Sequence, residues 1–135
     1  MLLHRVPPVP DKHTAFFWAS GADGVLRILR CTDCWHFLHP PTPRCTRCHS
    51  ERVQPEPVSG RGRVQTFTVN HQEWVPGQHP YIVAKVELLE QEGLCLETNL
   101  VEIDGDDVCL GMPVEVVFEP GPTNIWYPLF RPVSA

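Results

Sequence analysis

Alternation of apolar and polar positions is the strongest regularity in the second half of the chain. Val64-Gln65-Thr66-Phe67-Thr68-Val69 is β-branched and alternating, and Tyr81–Leu89 runs Tyr-Ile-Val-Ala-Lys-Val-Glu-Leu-Leu. Gln91-Glu92-Gly93 offers a turn from that segment into Leu94–Val101, and Asp104-Gly105-Asp106 offers another. Val114–Phe118 predicts a further short strand. Ile125–Arg131 predicts a last one, which Pro128 should confine to an edge because it has no N–H to donate. Four or five short antiparallel strands within about 70 residues predict a small barrel. The first half is organised differently. Pro7, Pro8 and Pro10 make an extended arm, and Val25–Arg30 alternates weakly as one strand. Between them Asp11 can cap a helix over Lys12–Ser20, which Gly21 would end in the left-handed conformation. Phe16, Phe17 and Trp18 stand in succession there and span about 200° of helix surface. That arc is wide for one small domain to cover. It predicts a helix that docks on another subunit, with a helix wedged into its own core as the other reading.

Composition narrows the class. The chain has 135 residues, 42% of them apolar, and 15 prolines. Proline at more than twice the usual ~5% argues against a helical bundle and for turns and short strands. No apolar run approaches the ~20 residues of a membrane span. The start Met1-Leu2-Leu3-His4-Arg5 lacks the basic-then-apolar pattern of a signal peptide. A cytoplasmic location and reduced thiols are therefore expected.

Charge divides the chain further. The formal net charge is −5, but it is unevenly spread. Residues 27–63 carry seven arginines against Asp33, Glu51 and Glu56, whereas residues 64–135 carry eleven acids against Lys85 and Arg131. Phosphate backbones need a cationic track, so the acidic barrel disfavours a nucleic-acid groove. The arginine-bearing middle is the more plausible side for an anion.

The chemistry in that middle is carried by cysteine. Cys31-Thr-Asp-Cys34 and Cys45-Thr-Arg-Cys48 are separated by ten residues that include Pro40, Pro41 and Pro43. Two such pairs offer four thiolates that close a tetrahedron around one zinc ion, a site with no open position for water. Disulfides or a rubredoxin-like iron are the competing uses. His36, His39 and His49 lie near enough in sequence to replace a ligand, although four cysteines already complete the shell. Cys95 and Cys109 are expected to be buried as small apolar residues. No phosphate loop, metalloprotease helix or nucleophile elbow occurs, and the late acids fit turns and solvent faces. The loop over 70–80 exceeds what a hairpin needs, so His71 and Trp74, with Arg44 and Arg47 of the cysteine segment, are candidate ligand or partner contacts.

The order of these parts resembles the zinc-ribbon/OB-fold family associated with acyl-CoA enzymes, long catalogued as a domain of unknown function. The resemblance runs over nearly the whole chain. It is carried by Phe17-Trp18, Gly24-Val-Leu-Arg27 before Cys31-x-x-Cys34, and His39-Pro40-Pro41-x-Pro43-x-Cys45-x-x-Cys48. Gly60-Arg-Gly62-x-Val64, Pro80-Tyr81-x-Val83-Ala84 and Gly111-Met-Pro113-Val114-Glu-Val116 complete it. Relatives often have Gly after each second cysteine, where Trp35 and His49 stand here, and Pro after the third, where Thr46 stands.

The resemblance implies a mainly β fold with a helical arm over 1–24, a rubredoxin-like zinc ribbon over 25–59 and an OB-fold barrel over 60–135. It implies structural zinc, one per chain, on Cys31, Cys34, Cys45 and Cys48. It also implies an accessory role beside a thiolase-fold partner, with acyl-CoA at or near the interface. Asp11-x-x-Thr14-x-Phe-Phe-Trp18 and the His39-Pro-Pro segment look most like partners of aldolases that cleave a steroid β-hydroxyacyl-CoA to propionyl-CoA and a 17-keto steroid. Catalytic residues would then belong to the partner, with none in this chain. A subunit of an enoyl-CoA hydratase or thiolase complex, or a free-standing module for acyl-CoA or nucleic acid, are the alternatives.

Overall fold

The computed structural model describes residues 5–133. The arm enters a single helical turn, α1 (Ala15–Ala19), continued by a 3-10 turn over Ser20–Asp23. This is shorter than the helix expected over Lys12–Ser20. Asp11 does organise its start, since its carboxylate accepts the N–H groups of His13 (2.8 Å) and Thr14 (2.9 Å). The left-handed residue is Gly24 (φ 78°), not Gly21. Gly21 is small for a different reason. A Cβ there would stand 2.5 Å from Trp126 Cβ, so the turn can lie against the barrel only if that residue has no side chain.

Two sheets follow. The ribbon sheet has β1 (Arg27–Cys31) between β2 (Phe37–Leu38) and β3 (Val53–Pro57), all antiparallel. Strands β2 and β3 carry no alternating signal in the sequence, and Pro55 and Pro57 are tolerated because β3 is an edge. The second sheet closes into a barrel in the order β4 (Arg61–Asn70), β5 (Tyr81–Leu88), β6 (Cys95–Leu100), β8 (Trp126–Pro132), β7 (Pro113–Pro120), with β7 pairing back to β4. That is the OB-fold order, and the mainly β class is as expected.

Strand β8 corrects the sequence reading. Pro128 was expected to mark an edge, yet β8 lies between β6 and β7. The register resolves this. Val133 donates to Pro113 O, so 113/133, 115/131, 117/129 and 119/127 form the hydrogen-bonded pairs of β7 and β8. Pro128 and Pro132 fall on the alternate positions, whose nitrogens face away from β7 towards β6. Strand β6 bridges β8 at Leu100↔Phe130 and the parallel ladder goes no further towards Pro128, which has no N–H to give it.

One core joins ribbon and barrel. Val64, Val86, Leu96, Val114 and Phe130 fill the barrel, and Leu26, Ile28 and Phe37 of the ribbon pack into the same cluster with Phe17. Alternation along β1 sends Leu29 the other way, into a small cluster with Leu38, Cys31 and Cys45. Gln91 locks the two sheets together. Its Oε1 accepts the Phe37 N–H (2.8 Å) and its Nε2 donates to Phe37 O (3.1 Å), as a neighbouring strand would.

Candidate functional site: a four-thiolate centre and an adjoining cavity

The two cysteine pairs form matched knuckles. After Cys31, the N–H groups of Asp33 (3.4 Å) and Cys34 (3.5 Å) point at its sulfur. After Cys45, those of Arg47 (3.3 Å) and Cys48 (3.4 Å) do the same. Trp35 N–H closes the first turn on Cys31 O (3.0 Å) and His49 N–H closes the second on Cys45 O (2.9 Å). The four sulfurs all lie within 4.8 Å of one another, with Cys31–Cys48 at 3.6 Å and Cys34–Cys45 at 3.5 Å. A tetrahedral ion with Zn–S bonds of about 2.3 Å sets sulfurs about 3.8 Å apart, so the donors present fit such an ion. Their electrostatics agree. Burial raises the Cys45 thiol, but the N–H donors from Cys48 and Arg47 outweigh it and bring it down to about 7. An N–H from Ser50 favours the Cys48 thiolate, yet burial and the three neighbouring sulfurs push that thiol up to about 12. A divalent cation among them relieves this mutual repulsion.

Both knuckles end in a residue with positive φ that is not glycine, Trp35 (66°) and His49 (65°). Arg30 supports the first by stacking over the Trp35 ring (5.3 Å) and bonding Trp35 O (2.8 Å). His49 is exposed and its ring has no such support. Changing His49→Gly should therefore stabilise the chain by about 1 kcal/mol, the usual cost of the left-handed conformation for an L-residue. A rise in Tm without a change in bound metal is the expected reading. His36, His39 and His49 are not among the metal-holding group, which is formed by the cysteines alone among the described residues. Cys109 is exposed and Cys95 half-buried, contrary to the expectation that both are buried. Their turn and outward-facing strand positions account for this.

The arginines of 27–63 are largely spent within the fold. Arg27 pairs with Asp23 (2.6 Å), Arg44 with Glu51 (2.7 Å) and Arg52 with Asp33 (3.7 Å). Arg47 stays exposed at the second knuckle, without an ion pair among the described residues. His71 and Trp74 project from the β4–β5 loop, where the Trp74 indole N–H reaches Asn70 Oδ1 (3.4 Å). No described hydrogen bond or ion pair joins them to Arg44 or Arg47.

The aromatic triplet is divided among three neighbours. Phe17 enters the barrel core, Phe16 bridges the core and the ribbon cluster, and Trp18 meets Tyr127 edge to face (6.3 Å). One small fold thus engages the whole arc, because ribbon, barrel and β8 surround the helix on different sides.

Helix, ribbon and barrel line an open cavity of about 690 Å³ that sequence reasoning did not identify. Arg5 closes one side, bonding Glu119 (2.9 Å) and Asn99 Oδ1 (2.7 Å) while stacking on Tyr127 (5.1 Å). Lys85, Glu97 and Asn99 line it from adjacent positions on β5 and β6, and Thr98 lies at its base. The outward parity of Lys85, Glu97 and Asn99 was the available signal. Only the barrel shows that it faces the helix. His39 forms the opposite wall, stacked on Phe17 (4.9 Å), and its Nδ1 is buried without a hydrogen-bond partner. Burial lowers its pKa from 6.5 to about 4. Folded protein therefore resists a proton that the unfolded chain accepts below pH 6.5. Stability should fall by up to about 3 kcal/mol between pH 6.5 and pH 4. Denaturant titrations of His39→Asn should lose that slope.

Comparison with known proteins agrees with this architecture. Residues 18–54 match the domain described as "ChsH2, rubredoxin-like zinc ribbon domain", and residues 55–119 match "ChsH2, C-terminal OB-fold domain". The solved "Ltp2-ChsH2(DUF35) aldolase" contains a chain 35% identical, with a TM-score of 0.83, covering 93% of this chain and 98% of that one. A "Probable enoyl-CoA hydratase alpha subunit" of Thermomonospora curvata is 36% identical over 95% of this chain and 40% of its own length. The "3-oxo-4,17-pregnadiene-20-carboxyl-CoA hydratase alpha subunit" of Mycobacterium tuberculosis is 37% identical over 82% of this chain and 35% of its own. The chain thus spans two-fifths or less of these two curated relatives. No helix among the described residues is long and apolar enough to cross a membrane. With both domains matched in order and a solved counterpart alike over nearly its whole length, this chain belongs to the ChsH2 (DUF35) family of zinc-ribbon and OB-fold proteins.

Proposed function

We propose that the chain is an accessory subunit of a thiolase-fold acyl-CoA aldolase. It would support retro-aldol cleavage of a steroid side-chain β-hydroxyacyl-CoA to propionyl-CoA and a 17-keto steroid. The observation that carries this reading is the likeness to the ChsH2(DUF35) chain of the Ltp2 aldolase over 98% of that chain's length. In the reaction a base takes the hydroxyl proton, the bond between the α and β carbons breaks, and the electron pair passes to an enolate of the thioester. A proton returned to the α carbon completes propionyl-CoA. Base and enolate stabiliser are assigned to the partner. Catalytic residues in this chain are none in this reading.

The chain's own part is binding and shape. Cys31, Cys34, Cys45 and Cys48 hold one zinc, which fixes the ribbon and supplies no open coordination position. The arm and helix over 1–24, the ribbon over 25–59 and the barrel over 60–135 form the docking body. Phe16 and Trp18 are the half-buried aromatics nearest its surface, with Arg44, Arg47, His71 and Trp74 as outlying partner contacts. Acyl-CoA lies at the interface and nucleic acid is not a ligand. The complex works in the cytoplasm, where the thiolates stay reduced.

Mixing the chain with a purified thiolase-fold partner should give one co-eluting complex that cleaves the β-hydroxyacyl thioester, with neither protein active alone. Two independent, fully active species would defeat the reading. The names of the two curated relatives favour a second one, service to an enoyl-CoA hydratase. A hydratase partner that co-elutes and gains activity, while the aldolase partner does neither, would select it.

A further inference from the structure

The barrel has an unfilled seam. Strand β6 pairs with β5 along its full length but meets β8 only at Leu100↔Phe130. Two bonds fix which way its backbone faces. Leu88 N–H donates to Leu94 O across the β5 turn, and Val101 N–H donates to Phe130 O. Even-numbered residues of β6 therefore bond β5, while Cys95, Glu97 and Asn99 turn their N–H and C=O groups towards β8. Towards Cys95 the two strands form no second bridging pair, and residues of both line the cavity of about 690 Å³. Side chains bridge only the deep end, where Thr98 Oγ1 donates to Pro128 O (2.8 Å) and approaches Asn99 O (3.3 Å). In a parallel pair the Leu100↔Phe130 bridge also seats the Phe130 N–H on Asn99 O, so the edge that the register leaves open is that of Cys95 and Glu97.

We propose that this edge binds the pantetheine arm of an acyl thioester as a substitute strand. Resting on the acyl-CoA reading above, the inference names the part of the substrate held and the surface that holds it. Pantetheine is a narrow, extended chain with two secondary amides, so each can donate and accept along a strand edge as a peptide does. The lining also offers apolar and aromatic groups, Trp18, Pro41 and Tyr127, which suit the methylenes between the amides and the gem-dimethyl group beyond the second one. Lys85 on the lining places a cation for the phosphate at the end of the arm. The acidic surface of the barrel offers no comparable track for a longer anion.

Hydrogen exchange on the full chain tests this, with propionyl-pantetheine, propionyl-CoA and 3′,5′-ADP as separate probes. Both thioesters should protect the amides of Cys95 and Glu97, and 3′,5′-ADP should not. Replacing Glu97 with proline deletes one edge donor whose N–H faces away from β5. It should weaken both thioesters about tenfold, the worth of a hydrogen bond or slightly more. Glu97→Ala keeps the N–H and should bind within about twofold of the parent. If E97P misfolds, the exchange pattern of the parent still decides. A carrier protein bearing propionyl-phosphopantetheine separates the two sources of the arm, since protection by CoA alone assigns the free cofactor and protection by both assigns the shared chain. Amides that stay unprotected, or protection by 3′,5′-ADP alone, would overturn the proposal. The co-elution experiment is independent. A stable complex without amide protection removes only this inference, whereas protection without a complex removes only the accessory-subunit reading.

Discussion

Cys45→Ser is expected to strip the metal from the chain and the ribbon from the fold. Cys45 is 1% exposed, and its sulfur receives two backbone N–H groups that exist only in the closed knuckle. A serine hydroxyl does not ionise near neutral pH and leaves three thiolates with an open position. Because a structural zinc site forms with the fold, loss of a ligand is loss of folding free energy. Elemental analysis should give one zinc per parent chain and nearly none in the variant. Tm should fall on the order of 10 °C or more. Metal-free parent protein that is folded and soluble would defeat the zinc assignment. Retention of iron in place of zinc would assign the same cage to the competing ion.

The second large effect concerns the barrel. Phe130→Ala should cost about 3–5 kcal/mol, a large share of the ~5–15 kcal/mol that holds a domain of this size together. Phe130 is fully buried, at the one point where β6 and β8 pair, and its carbonyl receives the Val101 N–H. Urea titration should show a lower midpoint with an unchanged slope if the denatured state is unaffected. A cost below about 1 kcal/mol would mean that β8 is the edge strand its proline suggested, with Phe130 on the surface.

That proline shows where local reasoning stops. A missing N–H forbids a ladder bond, but whether a ladder bond is needed depends on register and on the neighbour. Pro128 turns its nitrogen towards β6, where the ladder has only the Leu100↔Phe130 pair and Thr98 meets Pro128 O through its side chain. The same holds for the aromatic triplet. Three consecutive rings require three surfaces, and the sequence does not show that ribbon, barrel and β8 supply them all. Strand β2, two residues long, leaves no periodicity to find, and Gln91 pairs with it through a side chain rather than through a strand.

The arginines make the opposite correction. Counting them marked residues 27–63 as the anion-facing side, yet Arg27, Arg44 and Arg52 are paired with nearby acids. Lys85 of the barrel, without an ion pair among the described residues, instead lines the cavity. Net charge sums over a segment, whereas a ligand meets only the charges left without partners.

The sequence by itself determined the parts whose physics is local. Two Cys-x-x-Cys pairs fold into knuckles because each turn aims its own N–H groups at its own sulfur. Alternating runs become strands because side chains alternate every residue. What only the tertiary structure decided is how these parts meet. Closing five strands into a barrel leaves β6 and β8 joined at a single pair, and packing the helix and the His39 segment over that seam turns a strand edge into a cavity. Strand order and register are sums of many distant contacts, and no single stretch of the chain contains them.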